Sequence, residues 1–352
     1  GGPAPLPRKH RSLVPPPGPY YGYGGPPYPG GPAPPPPPPP PGGQDEDVPS
    51  LTELAGGGLA YVPSPRALER KKLALAREHP NRLQLVARFE GVLARHRMVG
   101  AASPGVPRGL PALSTAELLE EMLPAEDAEQ LRALGKEEGG AAERQQRALA
   151  LLQAAHQRGQ LNLRQLPQEH KSWTPLREGA EKLLQFMART QIPVTVLSDG
   201  YTNIIAEILK AQAPQICDQY ERRLPQDLVI FANSIRLDDY AGFYPSGFEG
   251  APVSEKNLSL GEMNKVRPGL VKTQRPNLLV LGSSPEGWDL APGFETGIIL
   301  SVGFMEWTKE AASDLNKCAS NYDVVIFHAK GDASFEYVLD LLGGIFPGYF
   351  SQ

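Results

Sequence analysis

Leu176-Arg177-Glu178-Gly179, and after it Ile192-Pro193-Val194-Thr195-Val196-Leu197-Ser198-Asp199-Gly200, form the stretch whose reading decides the fold. The aliphatic run Val194–Ser198 is short, rich in β-branched residues and closed by a Gly-containing turn, which predicts a buried strand. A helix over Pro175–Thr190 precedes it and a helix over Thr202–Ala211 follows it. Helix, strand, helix is the unit of a parallel α/β sheet. Downstream the alternation continues, with strands expected at Leu228–Ala232, Leu278–Leu281, Ile298–Val302 and Asp323–Phe327 and a last helix near Ala333–Leu342. Upstream, Leu83–Phe89 reads as another short buried strand, followed by the loop Glu90–Gly91 and a short segment around Val92 and Leu93. A helical pattern opens at Ser64 with Pro65 in its first turn, where a missing N–H costs nothing.

Two segments break this alternation. From Gly100 to about Trp173 the chain is rich in Ala, Leu, Gln and Glu, and Ser114-x-x-Glu117 forms a capping box before an amphipathic stretch through Leu123. Further helices are expected over Ala125–Leu134, stopped by Gly135, and Ala141–Arg158, stopped by Gly159. The first 49 residues are Pro, Gly and Tyr with scattered basic residues and an unbroken proline run from Pro34 to Pro41. That composition cannot build a core. The expected organisation is a disordered Pro-rich arm over 1–50, the start of an α/β core over 64–100, a helical insertion over 101–173 and the remainder of the core over 174–352. Polyproline favours the extended PPII helix, whose chemistry suits SH3, WW, EVH1 or profilin-type partners, while the same composition also serves as a solvated tail.

Composition narrows the function classes. A formal net charge of −4 gives no electrostatic footprint for nucleic acid or an anionic membrane surface. No apolar run has the length of a membrane span, so a cytoplasmic location is the expectation, with any targeting segment before Gly1 outside the sequence. Cys217 and Cys318 are far apart and read as two reduced, buried thiols rather than a disulfide or zinc framework.

The sequence resembles the pyrimidine/cytosolic 5'-nucleotidase III family of the haloacid-dehalogenase superfamily. The LREG motif at Leu176–Gly179 and the strand ending Ser198-Asp199-Gly200 carry the resemblance. Phe231-Ala232-Asn233-Ser234 with its acidic hairpin, Asn264-Lys265, Leu281-Gly282 and Asn321-Tyr322-Asp323-Val324-Val325 extend it in family order. The resemblance implies a haloacid-dehalogenase-like Rossmannoid sheet with an inserted helical cap. It also implies transfer of a phosphoryl group from a nucleoside monophosphate to an aspartate and then to water, with magnesium.

The residues at the family's catalytic positions differ. Where the family has DFDxT, this chain has Arg88-Phe89-Glu90-Gly91-Val92, so Arg88 stands for the nucleophile and Glu90 for the acid/base. Where the family has the metal-binding GDSxGD, it has Gly282-Ser283-Ser284-Pro285-Glu286-Gly287-Trp288-Asp289. Ser283 and Gly287 replace the two acids, with Glu286 and Asp289 as candidate substitutes in a shifted loop. The resemblance leaves Ser198 and Lys265 as phosphate-binding candidates, joined by Arg88 as an added cation. On the bland reading Ser198 is a turn or N-cap residue, Lys265 is solvated and Arg88 pairs with Glu90. Between Val99 and Ser172 there is no Phe, Tyr or Trp, so the cap offers no ring on which a base stacks. Glu120, Glu121 and Glu126 read as a solvated helix face.

A guanidinium cannot attack phosphorus, and losing two carboxylates strips charge from a magnesium site. The expectation is therefore a pseudoenzyme that acts by binding, without a cofactor, with phosphate or a nucleoside monophosphate as candidate ligands. A magnesium-dependent nucleotidase working through an aberrant acid, and a structural partner subunit, are the alternatives. Limited proteolysis followed by mass spectrometry tests the arm: cleavage is expected first before about Pro49, with the remainder resistant, because the arm has too little apolar surface to offset its ordering entropy.

Overall fold

The structure is a computed structural model and describes residues 47–55, 58–95, 112–136, 140–163, 173–238, 243–250, 252–253, 265, 274–285, 296–307, 315–328 and 333–350. The arm before Asp47 and the loop carrying Glu286, Gly287, Trp288 and Asp289 lie outside the described residues. Among these residues no helix is long and apolar enough to cross a membrane.

The strands are β1 (Ser50–Glu53), β2 (Leu59–Val62), β3 (Leu83–Arg88), β4 (Val194–Tyr201), β5 (Leu228–Asp238), β6 (Tyr244–Glu249), β7 (Asn277–Gly282), β8 (Ile299–Glu306) and β9 (Val324–His328). They form one sheet in the order β1-β2-β9-β8-β7-β3-β4-β5-β6. From β9 to β5 every pair is parallel, with Val86 opposite Val280 on one side and Thr195 on the other. Every residue of β7 and β9, and all of β3 but Arg88, is buried. This is how parallel strands covered on both faces read in sequence. The chain leaves β3 for β4 and β5 on one side and returns to β7 on the other, which makes the C-terminal end of β3 a topological switch point, where ligands bind in such sheets.

Amphipathic helices supply the cover. Helix Ala180–Arg189 buries Leu183, Leu184, Phe186 and Met187, helix Thr202–Gln212 buries Ile204, Ile205, Ile208 and Leu209, and helix Glu336–Ile345 buries Val338, Leu341, Leu342 and Ile345. Each set recurs at the helical period, so one stripe faces the core. The helix Pro65–Arg77 begins where the sequence predicts, with Ser64 accepting from the Ala67 N–H and Pro65 in the first turn.

The helical insertion leaves and rejoins the core through a narrow stem. Ala94 bridges Leu176, the Arg95 N–H donates to the Pro175 carbonyl at 2.9 Å, and the Leu113 N–H donates to the Trp173 carbonyl at 2.9 Å. Its helices are Thr115–Glu121, Ala125–Lys136 and Ala141–Gln157, and the predicted capping box of Ser114 and Glu117 is formed. The third packs on β6, where Gln153 donates to the Pro245 carbonyl at 2.9 Å.

Several boundaries differ from expectation for identifiable reasons. Gly135 does not stop its helix, which runs to Lys136; space around it is open, and an interior glycine costs only about 1 kcal/mol relative to alanine. The helix expected from Pro175 starts at Ala180, because Leu176 is held in the stem and Gly179 takes a left-handed φ of 82°. A Cβ at Gly179 would crowd that of Phe335 at 3.1 Å, so this glycine both turns the chain and admits its neighbour. The last helix begins at Glu336 rather than Ala333, and β5 runs on to Asp238 to pair with β6. β1 and β2, upstream of Ser64, extend the sheet beyond β9, with Ala60 opposite Ile326. Two strands of four residues interrupted by glycines carry too little pattern to be read from sequence.

One buried group makes stability depend on acidity. His328 ends β9 and is 8% exposed, and burial, then the charge of Arg177, pull its pKa from 6.5 down to about 3. Between those values the unfolded chain binds a proton that the folded chain refuses, so stability falls as pH drops through this window. Urea unfolding at pH 7 and pH 5 is expected to show a loss that shrinks by up to about 2 kcal/mol in His328→Asn. An equal loss in the variant would contradict this reading.

Candidate functional site

β3 delivers Arg88, Phe89 and Glu90 to the switch point. Phe89 is fully buried and anchors the strand end, which leaves its neighbours Arg88 and Glu90 half-buried toward the opening. The turn that follows is built on Gly91, with φ of 76°, where a Cβ would press on the Ser283 side chain at 3.2 Å. The glycine thus lets the β3 loop approach the end of β7.

The turn is held by Arg177, a fully buried residue of the LREG motif. Its Nε donates to the Val92 carbonyl at 2.9 Å, Nη2 to Gly91 at 2.8 Å and Nη1 to Ala333 at 2.7 Å. The guanidinium also lies 4.8 Å from the Phe304 ring centroid, a cation–π contact. The arginine is spent on carbonyls and an aromatic face, which suits a positioning residue.

A cavity of about 580 Å³ opens over these strand ends, lined by Arg88, Glu90, Asp199, Ser283, Glu306 and His328, with the first turn of the cap on its other side. Glu117 belongs to that turn, and its carboxylate accepts from the Ser114 N–H at 2.7 Å. Among the described residues the lining therefore carries four carboxylates, Glu90, Glu117, Asp199 and Glu306, with the cations Arg88 and Arg177.

Glu90 is engaged on one oxygen. Oε1 accepts from the Thr115 hydroxyl at 2.7 Å and from the Ser198 hydroxyl at 3.0 Å. Ser198 is 1% exposed and also accepts from the Gly200 N–H at 2.8 Å. It is neither an N-cap nor part of the cavity lining: β4 continues to Tyr201, and the next helix is capped there without a side-chain bond. Lys265 is exposed and likewise outside the lining. Of the residues singled out from sequence, Arg88, Glu90 and Ser283 line the cavity together, Ser198 sits behind Glu90 through its hydrogen bond, and Lys265 stands apart. Glu286, Gly287 and Asp289 fall outside the described residues.

Among the described residues, no three acidic, histidine or cysteine side chains gather to hold a metal ion. The described donors at the ends of β3 and β7 do not fit magnesium, because a guanidinium and a neutral hydroxyl stand at Arg88 and Ser283 and one oxygen of Glu90 already accepts from two hydroxyl donors.

A second cavity of about 320 Å³ shares Ala116 and Asp199 with the first and lies between cap and core. Tyr201 and Phe248 line it, stacked with centroids 6.5 Å apart. Burial and then the charge of Glu120 push the Tyr201 phenol up to about 12, so it stays protonated. Glu120, expected on a solvated face, instead pairs with Arg132 at 3.0 Å beside this cavity, whereas Glu121 and Glu126 are exposed as expected. Aromatic surface absent from the cap is thus supplied by β4 and β6. Only the pairing of β5 with β6 places Phe248 there, and no local signal in the sequence announces it.

The fold has a counterpart among solved structures. A comparison with curated proteins finds no match. Among solved structures, cytosolic 5'-nucleotidase IIIB bound to cytidine aligns with a TM-score of 0.58 at 18% identity, covering 82% of this chain and 93% of that one. At that identity the likeness shows the fold. A phosphoserine phosphatase in apo form aligns at a TM-score of 0.33 and 17% identity, over 63% of this chain and 85% of that one. The family model described as pyrimidine 5'-nucleotidase (UMPH-1) matches residues 145–345. That match spans more than half of the chain, and the chain belongs to the pyrimidine 5'-nucleotidase (UMPH-1) family.

Proposed function

We propose that this chain is a member of the nucleotidase family that does not turn over phosphomonoesters and acts by binding. The observation that carries the reading is Arg88 in the cavity at the end of β3. Covalent phosphoryl transfer needs a carboxylate there to attack phosphorus; a guanidinium stays protonated and has no lone pair to offer. Its charge also opposes a divalent cation in the same place. Glu90 is a poor replacement, since its Oε1 already accepts from Thr115 and Ser198, which ties its carboxylate to the cap and β4. On this reading the protein works without a metal and resides in the cytoplasm, and the Pro-rich arm before Pro49 is one contact surface, suited to SH3, WW, EVH1 or profilin-type domains.

A second reading, metal-free binding of phosphate or a nucleoside monophosphate, is favoured by the same Arg88, which can form charge-assisted hydrogen bonds to a phosphoryl oxygen. Four carboxylates in the lining work against it. Because Ser198 and Lys265 do not line the cavity, Arg88 would act with little help. Any such affinity is therefore expected to be weak.

Two measurements test these readings. Purified protein with magnesium and a panel of nucleoside monophosphates is expected to release phosphate at the rate of a protein-free blank. Turnover that disappears in Glu90→Ala would establish the aberrant-acid nucleotidase instead. Calorimetric titration with phosphate and nucleoside monophosphates in EDTA is expected to show weak heats that vanish in Arg88→Ala. Binding that requires magnesium, or that survives loss of Arg88, would remove the metal-free anion site.

A further inference from the structure

Glu90 joins the core to the first helix of the cap, apart from the stem and the packing of the third cap helix on β6. It stands on the loop after β3, and Thr115 is the first residue of the cap's first helix. Their 2.7 Å hydrogen bond crosses from core to cap, and the Ser198 hydroxyl bonds the same carboxylate oxygen from β4. Thr115 is fully buried, and its hydroxyl also lies 3.4 Å from the Tyr201 N–H. Gly200 fits against it so closely that a Cβ there would overlap the Thr115 hydroxyl. Ala116, the next residue, lines both cavities, so this helical turn is the partition between them.

We propose that Glu90, Thr115 and Ser198 form a latch that holds the first turn of the cap against the core and thereby sets how freely the two cavities open to each other. A carboxylate accepting two hydroxyl protons in a half-buried place is a charge-assisted contact, stronger than a neutral pair. Other polar bonds across this boundary include Gln145 to Asn233 at 3.3 Å, Gln153 to Pro245 at 2.9 Å and Gln157 to Tyr244 at 3.5 Å, which are neutral and lie on the third cap helix. Removing the latch leaves those in place, so the predicted motion is local to the first cap helix. The inference holds whether or not the cavity binds an anion, since it uses neither Arg88 nor a ligand.

Hydrogen–deuterium exchange on the full chain tests it. In Thr115→Val, which keeps the side-chain shape and removes the hydroxyl, amides over residues 115–123 are expected to exchange roughly ten- to a hundredfold faster. Protection of β3, β7 and β9 is expected to stay as in the unaltered protein, and Thr115→Ser is expected to restore slow exchange. Glu90→Gln, of nearly the same volume, is expected to act in the same direction by removing the charge, and it carries the test alone if Thr115→Val does not fold. Unchanged exchange over residues 115–123, or equal loss of protection in that helix and the core strands, would overturn the latch.

Discussion

The buried guanidinium of Arg177 is the contact on which the arrangement of the site depends. Three carbonyls from two places in the sequence, the adjacent Gly91 and Val92 and the distant Ala333, converge on it, and the ring of Phe304 from β8 covers it. A carbonyl left unpaired in a buried place costs about 1–3 kcal/mol, so one side chain suppresses several such costs at once. Lysine could not substitute, because a point charge with three donors lacks the planar fork that reaches carbonyls in different directions. The position of Glu90, and hence its reach to the cap, follows from a turn that Arg177 ties down.

That dependence explains why the fold was largely legible in the sequence and the site much less so. Strands β3, β4, β7 and β9 are runs of buried aliphatic residues, and the helices between them repeat their apolar positions at the helical period. Such signals are local and need no knowledge of partners. The two strands at one end of the sheet were missed because β1 exposes three of its four residues and β2 is equally short. Glycine misled in one direction at Gly135, where open space lets a helix continue, and the sequence carries no mark that distinguishes it from a terminating glycine.

At the site, residue types were readable but their partners were not. Arg88, Glu90 and Ser283 could be placed together because they stand where the resembled family has its DFDxT and GDSxGD motifs, and in the structure they sit at the C-terminal ends of β3 and β7 in one parallel sheet. Ser198 lies within β4, and its hydroxyl turns to Glu90 and the Gly200 N–H rather than to the cavity. Thr115 went unnoticed since its role is set by contact with residues 25 positions away at Glu90 and 86 away at Tyr201. The stacked pair Tyr201 and Phe248 has the same origin, a register between strands rather than a spacing along one.

The charge balance of the cavity ties the substitution at Arg88 to the rest of the lining. Glu90, Glu117, Asp199 and Glu306 lie around one partly enclosed space, where carboxylates repel one another more than they would in water. In an enzyme that works through a divalent cation, the metal relieves that repulsion. On the reading proposed for this chain, Arg88 brings a fixed positive charge to the same lining, and Glu90 spreads its own charge over two hydroxyl donors. Both devices stabilise the acidic cavity without a ligand. Arg88 is therefore best understood with its neighbours: on that reading an arginine at the end of β3 is tolerated because the carboxylates around it balance its charge.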